Sequence, residues 1–394
     1  MEYPAVTLRA EKRGTFLARH PWVLDKSLQA TPAGMSPGEV IDLVTPDGRW
    51  MARGVWNGHS RIRVRLYSWD PQQALDAGYW HAQLAQAVGL RRQLGLIGPR
   101  QATRLVFSEG DGLSGLIVDQ YAGYLVVQYT ALAMQQRAEL IVPWLIEHLQ
   151  PTAIQVRIDQ RTAKAEGMEA GQNWVYGTPP EGPVEFDEHG VRLQVDLNES
   201  QKTGYYVDQR DNRREAARYV AGKRVLDVCT YVGGFALAAG RAGAAEVLGI
   251  DSSQRAVDAA RQHAELNELP QVRFETGEMF ERLEGFRVER RRFDVIVLDP
   301  PRFAGSRQAL RQALQAYHRL NRLAVELLEP GGILVTCSCS GLVTREDFRQ
   351  MLVGVARKCH RDLQLLDQRG AGPDHPVRLS CPETEYLKCF ILRA

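Results

Sequence analysis

Asp294-Val-Ile-Val-Leu-Asp-Pro-Pro-Arg-Phe303 decides the fold. Asp294 to Leu298 is apolar, β-branched and too short for a helix, which predicts a buried parallel strand. An acid and two prolines stop it. Pro300 and Pro301 cannot donate to a ladder, and each pushes the residue before it towards an extended conformation. Asp299 is therefore expected at the carboxyl end of a strand, the edge where open α/β sheets bind ligands. Gly331-Gly-Ile-Leu-Val-Thr-Cys-Ser-Cys-Ser340 reads as a second buried strand, ending in a thiol. The run Gln308 to Leu328 between them is helical. Strand, helix, strand makes the two strands parallel and puts their tips on one edge. An acid and a thiol converging there suggest chemistry on an electrophilic substrate.

The same alternation extends upstream. Residues 224–228, 247–251, 272–275, 293–299 and 332–337 read as strands, with helical runs such as Ser253 to Leu266 between them. That predicts a doubly wound α/β sheet, closed by two tail strands at 363–369 and 386–392. The first strand turns at Asp227-Val-Cys-Thr-Tyr-Val-Gly-Gly-Phe235. Gly233 and Gly234 let the backbone approach a ligand at a helix N-terminus. Cys229 and Tyr231 stand where a G-x-G-x-x-G loop would carry glycines, which disfavours a pyrophosphate-binding dinucleotide site; Cys229 is expected to line the loop instead. Asp251 ends the second strand at the right distance to accept hydrogen bonds from ribose hydroxyls. Glu278 follows the third strand, positioned for an adenine edge or simply as an acid at a helix N-terminus. Ribose recognition without a pyrophosphate site points to S-adenosylmethionine.

Cys337 and Cys339 alternate along one strand. Cys337 lies inside it and is expected to be packed; Cys339 lies just beyond, in the turn Ser338-Cys-Ser-Gly341, where a nucleophile belongs. No second Cys or His pair stands at metal-ligand spacing nearby, so no metal is expected.

Residues 1–72 read as short strands and turns, suggesting a small β-barrel. Arg61, Arg63 and Arg65 alternate with Ile62 and Val64, which puts three guanidinium groups on one face of a strand, either contacting phosphate or merely solvated. Residues 73–183 read as a small α+β domain, ending in the boundary Gly177-Thr-Pro-Pro-Glu-Gly-Pro183, and 184–394 form the doubly wound domain. The 394 residues carry a formal net charge of +2, so global charge does not point to nucleic acid. No apolar run is long enough to span a bilayer, and Met1 to Lys12 shows no signal peptide. Six cysteines, all in the C-terminal half, fit reduced thiols in a cytoplasmic protein.

The Asp227 to Phe235 loop, Asp299-Pro-Pro-Arg-Phe303 and Ser338-Cys-Ser-Gly341 together resemble the bacterial large-subunit rRNA 5-methylcytosine methyltransferases of the RlmI type, over the whole chain. The resemblance implies a PUA-like RNA-binding barrel, a central α+β domain and a Rossmann-like class I methyltransferase domain. Lys202-Thr-Gly-Tyr-Tyr-Val-Asp-Gln-Arg210 resembles the family's lead into the cofactor fold, which implies cofactor contacts from Tyr206, Gln209 and Arg210 beside Cys229, Tyr231, Gly233, Gly234, Asp251, Glu278 and Asp299. It further implies Cys339 as nucleophile, Asp299 as the group holding the base, and substrate contacts from Pro300, Pro301 and Phe303. The implied partner is large-subunit rRNA, methylated at C5 of cytosine 1962; a homodimer is implied by the likeness alone. The chain departs from the family's pattern at Cys337, a thiol where another residue is expected. Two other readings compete. Methylation of a base nitrogen needs no thiol and commonly places an aromatic directly after the two prolines, where this chain has Arg302. A non-catalytic RNA-binding protein would not need the Gly233-Gly234 loop, Asp251 and Asp299.

Overall fold

A computed structural model describes residues 3–30, 34–198 and 204–394. The chain forms two compact units. One holds Met1–Phe186, Gln194–Val207 and Pro373–Thr384; the other holds Asp187–Leu193, Asp208–Gly372 and Glu385–Ala394.

The first unit contains two five-stranded sheets. The N-terminal one runs Ala5–Thr7, Val40–Val44, Trp50–Trp56, Ile62–Ser68, Trp22–Leu24 across its width. A bridge between Leu8 and Leu28 joins the chain just after both edge strands, so the sheet curls into a half-barrel, as the expected small barrel requires. In the second sheet, Tyr124–Tyr129 is central, and the helices Ala77–Gln93 and Ala138–Leu149 contribute to the core beside it. The sheets fall within the expected spans 1–72 and 73–183, but Val55 and Tyr67 of the barrel share one apolar core with Trp80, Val118, Val127 and Trp144. Compactness therefore does not change at 72/73. The strand Gly171–Gly177, just before the expected boundary, has no apolar alternation and is mostly exposed, which is why the sequence reading passed over it.

That shared core corrects the arginine reading. Arg65 is 7% exposed, and its guanidinium lies between Glu109 (3.3 Å) and Glu166 (3.0 Å), with Ser114 Oγ at 3.0 Å. Burial alone would raise the Glu109 pKa, but Arg65 and the serine hydrogen bonds hold it below the usual range. Arg63 pairs with Asp25 at 2.9 Å, and Arg61 is exposed just before the strand. Period two does set a common face, but here that face turns inward at Arg65. Arg65→Ala strands two buried carboxylates and is expected to cost about 3–5 kcal/mol, read as a fall in the thermal midpoint; a loss below about 1 kcal/mol, the level of a surface pair, would contradict the placement.

The second unit is the doubly wound sheet. Its strands are β1 (Arg224–Val228), β2 (Glu246–Asp251), β3 (Val272–Thr276), β4 (Phe293–Leu298), β5 (Leu328–Ser338), β6 (Gln364–Arg369) and β7 (Lys388–Arg393). Its helices are α1 (Arg210–Ala216), α2 (Gly234–Arg241), α3 (Gln254–Leu266), α4 (Met279–Val288), α5 (Leu310–Leu327) and α6 (Arg345–Cys359). The strand order is β3-β2-β1-β4-β5-β7-β6. β1 to β5 are parallel, and β7 runs antiparallel to both its neighbours. Side chains alternate between two cores. Ile296, Leu298, Leu334 and Phe390 pack with α5 and α6, while Val297, Val335, Cys337 and Ile391 pack with Ala216 and Phe235. Cover on both faces explains why β4 is apolar without alternation. The strand order turns back between β1 and β4, which opens a ligand crevice at their carboxyl ends.

Candidate active site

The β4 ladder ends as its sequence requires. Asp299 still donates its N–H to Val228 O (3.2 Å); Pro300 has none to give. Asp299 is half-buried at this tip. Desolvation pushes its carboxyl up to about 7, with Asp208 and Asp227 adding to the rise and Arg213 and Gln209 opposing it. Asp227 on β1 is fully buried and also rises to about 7, chiefly from burial. Its Oδ2 accepts from Thr230 Oγ1 and from Ala236 N (3.0 Å), while Oδ1 has no partner among the described residues. A buried carboxylate oxygen left open at a strand tip is a ready acceptor for a ligand.

The β1–α2 loop uses its non-glycine residues in glycine-like conformations. Cys229 (φ +62°), Tyr231 (φ +51°) and Gly233 (φ +92°) all have left-handed backbones. Each non-glycine case stores about 1–3 kcal/mol, the kind of strain that collects at ligand sites. Asp251 pins the loop: its Oδ2 accepts from Tyr231 N (2.9 Å), and its Oδ1 from Ser253 N (2.9 Å). Gly234 opens α2, and a Cβ on Gly233 would sit 2.8 Å from the Phe274 ring. Gly233→Ala is expected to weaken cofactor binding at least about tenfold, since the loop must move by more than the neighbour can give; calorimetry with S-adenosylmethionine that finds wild-type affinity would refute this.

Cys229 reports the convergence of the strand tips. Burial drives its thiol far up, and Asp251, Asp299, Asp227 and Glu278 add to the rise in that order. Acids from four strand ends thus bear on one thiol. Cys229 Sγ also lies 3.6 Å from Met279 Sδ. Glu278 is exposed, immediately before α4. Gln209 is buried beside Asp299 and accepts from Asn212 Nδ2 at 2.6 Å; Arg210 is buried in the first turn of α1. Tyr206 belongs to the first unit and is 42% exposed. Gln201, Lys202 and Thr203 of the same segment lie outside the described residues.

The two cysteines at the end of β5 part company. Leu298 pairs with Thr336, so Cys337 is level with Asp299; it is fully buried, faces Cys389 across the ladder, and its thiol is driven well above the ordinary range by burial and then by Cys389. Cys339 follows the end of β5, is partly exposed, and brings its Sγ to 3.9 Å from Pro300 O. Ser340 locks this turn: its Oγ lies 3.3 Å from Ala304 N and 3.1 Å from Tyr317 OH. Phe303 is partly buried and leans on Tyr317, ring centroids 4.7 Å apart. Pro300 is buried and Pro301 exposed.

Sequence reasoning passed over Asp208, whose carboxylate accepts from Tyr386 OH, and over Tyr317, Ser340 and Lys388. Asp208 lay within a stretch already singled out. Lys388 had a signal too, a lone charge within the apolar run Leu387-Lys-Cys-Phe-Ile-Leu392.

The fold and this edge define a class: a class I S-adenosylmethionine-dependent methyltransferase preceded by a barrel. A model of the S-adenosylmethionine-dependent methyltransferase family matches residues 157–377, and a PUA-like domain model matches residues 6–69. Proteins named ribosomal RNA large subunit methyltransferase I are similar along nearly the whole chain. The one from Aeromonas hydrophila is 39% identical, covering 96% of both chains; the one from Escherichia coli O157:H7 is 40% identical, covering 98% of both. The chain belongs to the ribosomal RNA large subunit methyltransferase I family. In fold, it is similar to a crystallised S-adenosylmethionine-dependent methyltransferase-like protein from Streptococcus mutans (TM-score 0.86, 19% identity, covering 99% of this chain and 100% of that one). Its cofactor is S-adenosylmethionine. No helix among the described residues is long and apolar enough to cross a membrane.

Proposed function

We propose that this protein methylates C5 of a cytosine in large-subunit rRNA, position 1962 by family likeness, using Cys339 as a covalent nucleophile. The observation that carries the reading is the thiol brought back onto the Asp-Pro-Pro turn, with Cys339 Sγ 3.9 Å from Pro300 O. When bound, S-adenosylmethionine supplies an electrophilic methyl group. The Gly233-Gly234 backbone, Asp251 and the open Oδ1 of Asp227 are the groups that hold it.

Cytosine C5 is too weak a nucleophile to be methylated unaided. Addition of the Cys339 thiolate to C6 forms an S–C6 bond, breaks the C5=C6 π bond and makes C5 enamine-like, splitting one hard step into two easier ones. Asp299, protonated, donates to N3 and draws electron density from C6. A carboxyl near pH 7 supplies both states, which is what a raised pKa achieves. After C5 is methylated, a water takes its proton and the C5–H electron pair re-forms the C5=C6 bond, expelling the Cys339 thiolate and restoring the ring. Phe303, braced by Tyr317, is assigned to stack on the base. The PUA-like barrel is assigned to RNA contact, with exposed Arg61 as its phosphate-facing cation.

Methyl transfer from labelled S-adenosylmethionine to unmodified large-subunit rRNA, followed by nucleoside mass spectrometry, tests this. 5-Methylcytosine is expected. A methylated nitrogen instead would favour the thiol-independent reaction.

A further inference from the structure

Lys388 is buried beside the active edge, and the proposed chemistry leaves it without a task. It is 1% exposed. Across the β5–β7 ladder it pairs with Ser338, and its Nζ donates to Ser340 O (2.7 Å) and Tyr386 O (2.8 Å). Residues 338 and 340 flank Cys339, so Lys388 meets the turn on both sides of the thiol, through its backbone across the ladder at Ser338 and through its side chain at Ser340 O.

Its contacts are carbonyls only; among the described residues it forms no ion pair with a carboxylate. A buried ammonium without a counter-charge is costly. The charged and titratable groups that act on it most strongly are Cys339, Arg345, Glu385 and Asp347. Arg345 and Glu385 are paired with each other, and Asp347 is committed to the capping box of α6 through Thr344. Cys339, between Ser338 and Ser340, is placed to supply that charge as a thiolate.

We propose that Lys388 is a positioning residue for Cys339, fixing the turn 338–340 and stabilising the Cys339 thiolate with its buried ammonium. The proposal rests on Cys339 being the nucleophile. The thiol proton passes to solvent, and a thiolate–ammonium pair remains. Burial lowers the Lys388 pKa to about 8, and Cys339 opposes that fall, so the ammonium form still prevails at neutral pH.

The test is the pH dependence of Cys339 alkylation by iodoacetamide, read at that residue by peptide mass spectrometry, in wild type and Lys388→Met. The wild-type midpoint is expected below the ordinary thiol value of about 8.5. In Lys388→Met it should rise by about one unit or more, with a roughly tenfold fall in kcat at pH 7 and little change in KM. A wild-type midpoint at or above the ordinary value overturns the proposal, even if the variant does not fold. So does an unchanged midpoint in a folded Lys388→Met protein. Failure of the nucleophile reading shows separately, as 5-methylcytosine still formed by Cys339→Ala.

Discussion

Cys339→Ala is expected to lose methyl transfer by roughly three orders of magnitude or more, while its affinity for S-adenosylmethionine stays within about twofold of wild type. Both halves follow from placement. The groups proposed to hold the cofactor lie at the β1 and β2 tips, whereas Cys339 stands past β5 with its Sγ against the Pro300 carbonyl. Removing the thiol removes the only group assigned to attack C6 and touches none of those that hold the cofactor. Cys337→Ala makes the contrast. Cys337 is fully buried among Val297, Val335, Cys389 and Ile391, and its thiol is held protonated by burial. That substitution should cost about 1–2 kcal/mol of stability as a small core deletion, and leave turnover close to wild type. Single-turnover assays with both variants decide the matter. If Cys339→Ala turns over normally, or Cys337→Ala is dead while folded, the nucleophile is misassigned.

Asp299 should govern the alkaline side of the pH–rate profile. Its carboxyl is pushed up to about 7, first by desolvation and then by Asp208 and Asp227, so the protonated donor is lost as pH rises through that value. Thiolate formation at Cys339 works in the other direction, and the two together predict a bell. Asp299→Asn keeps an N–H donor and should flatten the alkaline limb; Asp299→Ala removes the donor and should lower kcat about 10²–10³-fold. A wild-type rate still climbing well above pH 8 would remove Asp299 from this role. The same shift has a stability consequence. A carboxyl with a raised folded pKa contributes stability fully present below its unfolded pKa of about 3.9 and lost as pH rises through the folded value. The cofactor-free protein should therefore be more stable to denaturant near pH 5.5 than near pH 8. Asp208 and Asp227 help raise Asp299, and Asp227 is itself raised, so the midpoint of that loss belongs to the cluster rather than to one residue.

Much of this site was legible because its determinants are local. The Asp-Pro-Pro stop, the Gly233-Gly234 pair and the acid ending β2 are each set within a few residues, and the βα alternation forces their strand tips onto one edge. Other features depend on distant partners. Nothing near Arg65 in the sequence shows that its strand face is covered; that depends on Glu109, Ser114 and Glu166, supplied by later parts of the chain. Pro373–Thr384 reads as a loop within the tail, yet it packs with the first unit, where Arg91 of the helix Ala77–Gln93 donates to Asp374 O.

By itself, then, the sequence determined the doubly wound domain, the barrel-like sheet, and the edge on which the proposed acids and thiol gather, because strand periodicity, proline and glycine act over short range. Tertiary structure decided the rest: which of two cysteines emerges at the surface, that Asp227 is close enough to raise the Asp299 pKa, that Arg65 is an internal ion, and that Lys388 meets the turn carrying Cys339 from the far end of the chain. Burial and charge proximity are properties of packed neighbours, and those neighbours come from strands tens of residues apart in sequence, paired only when the sheet closes.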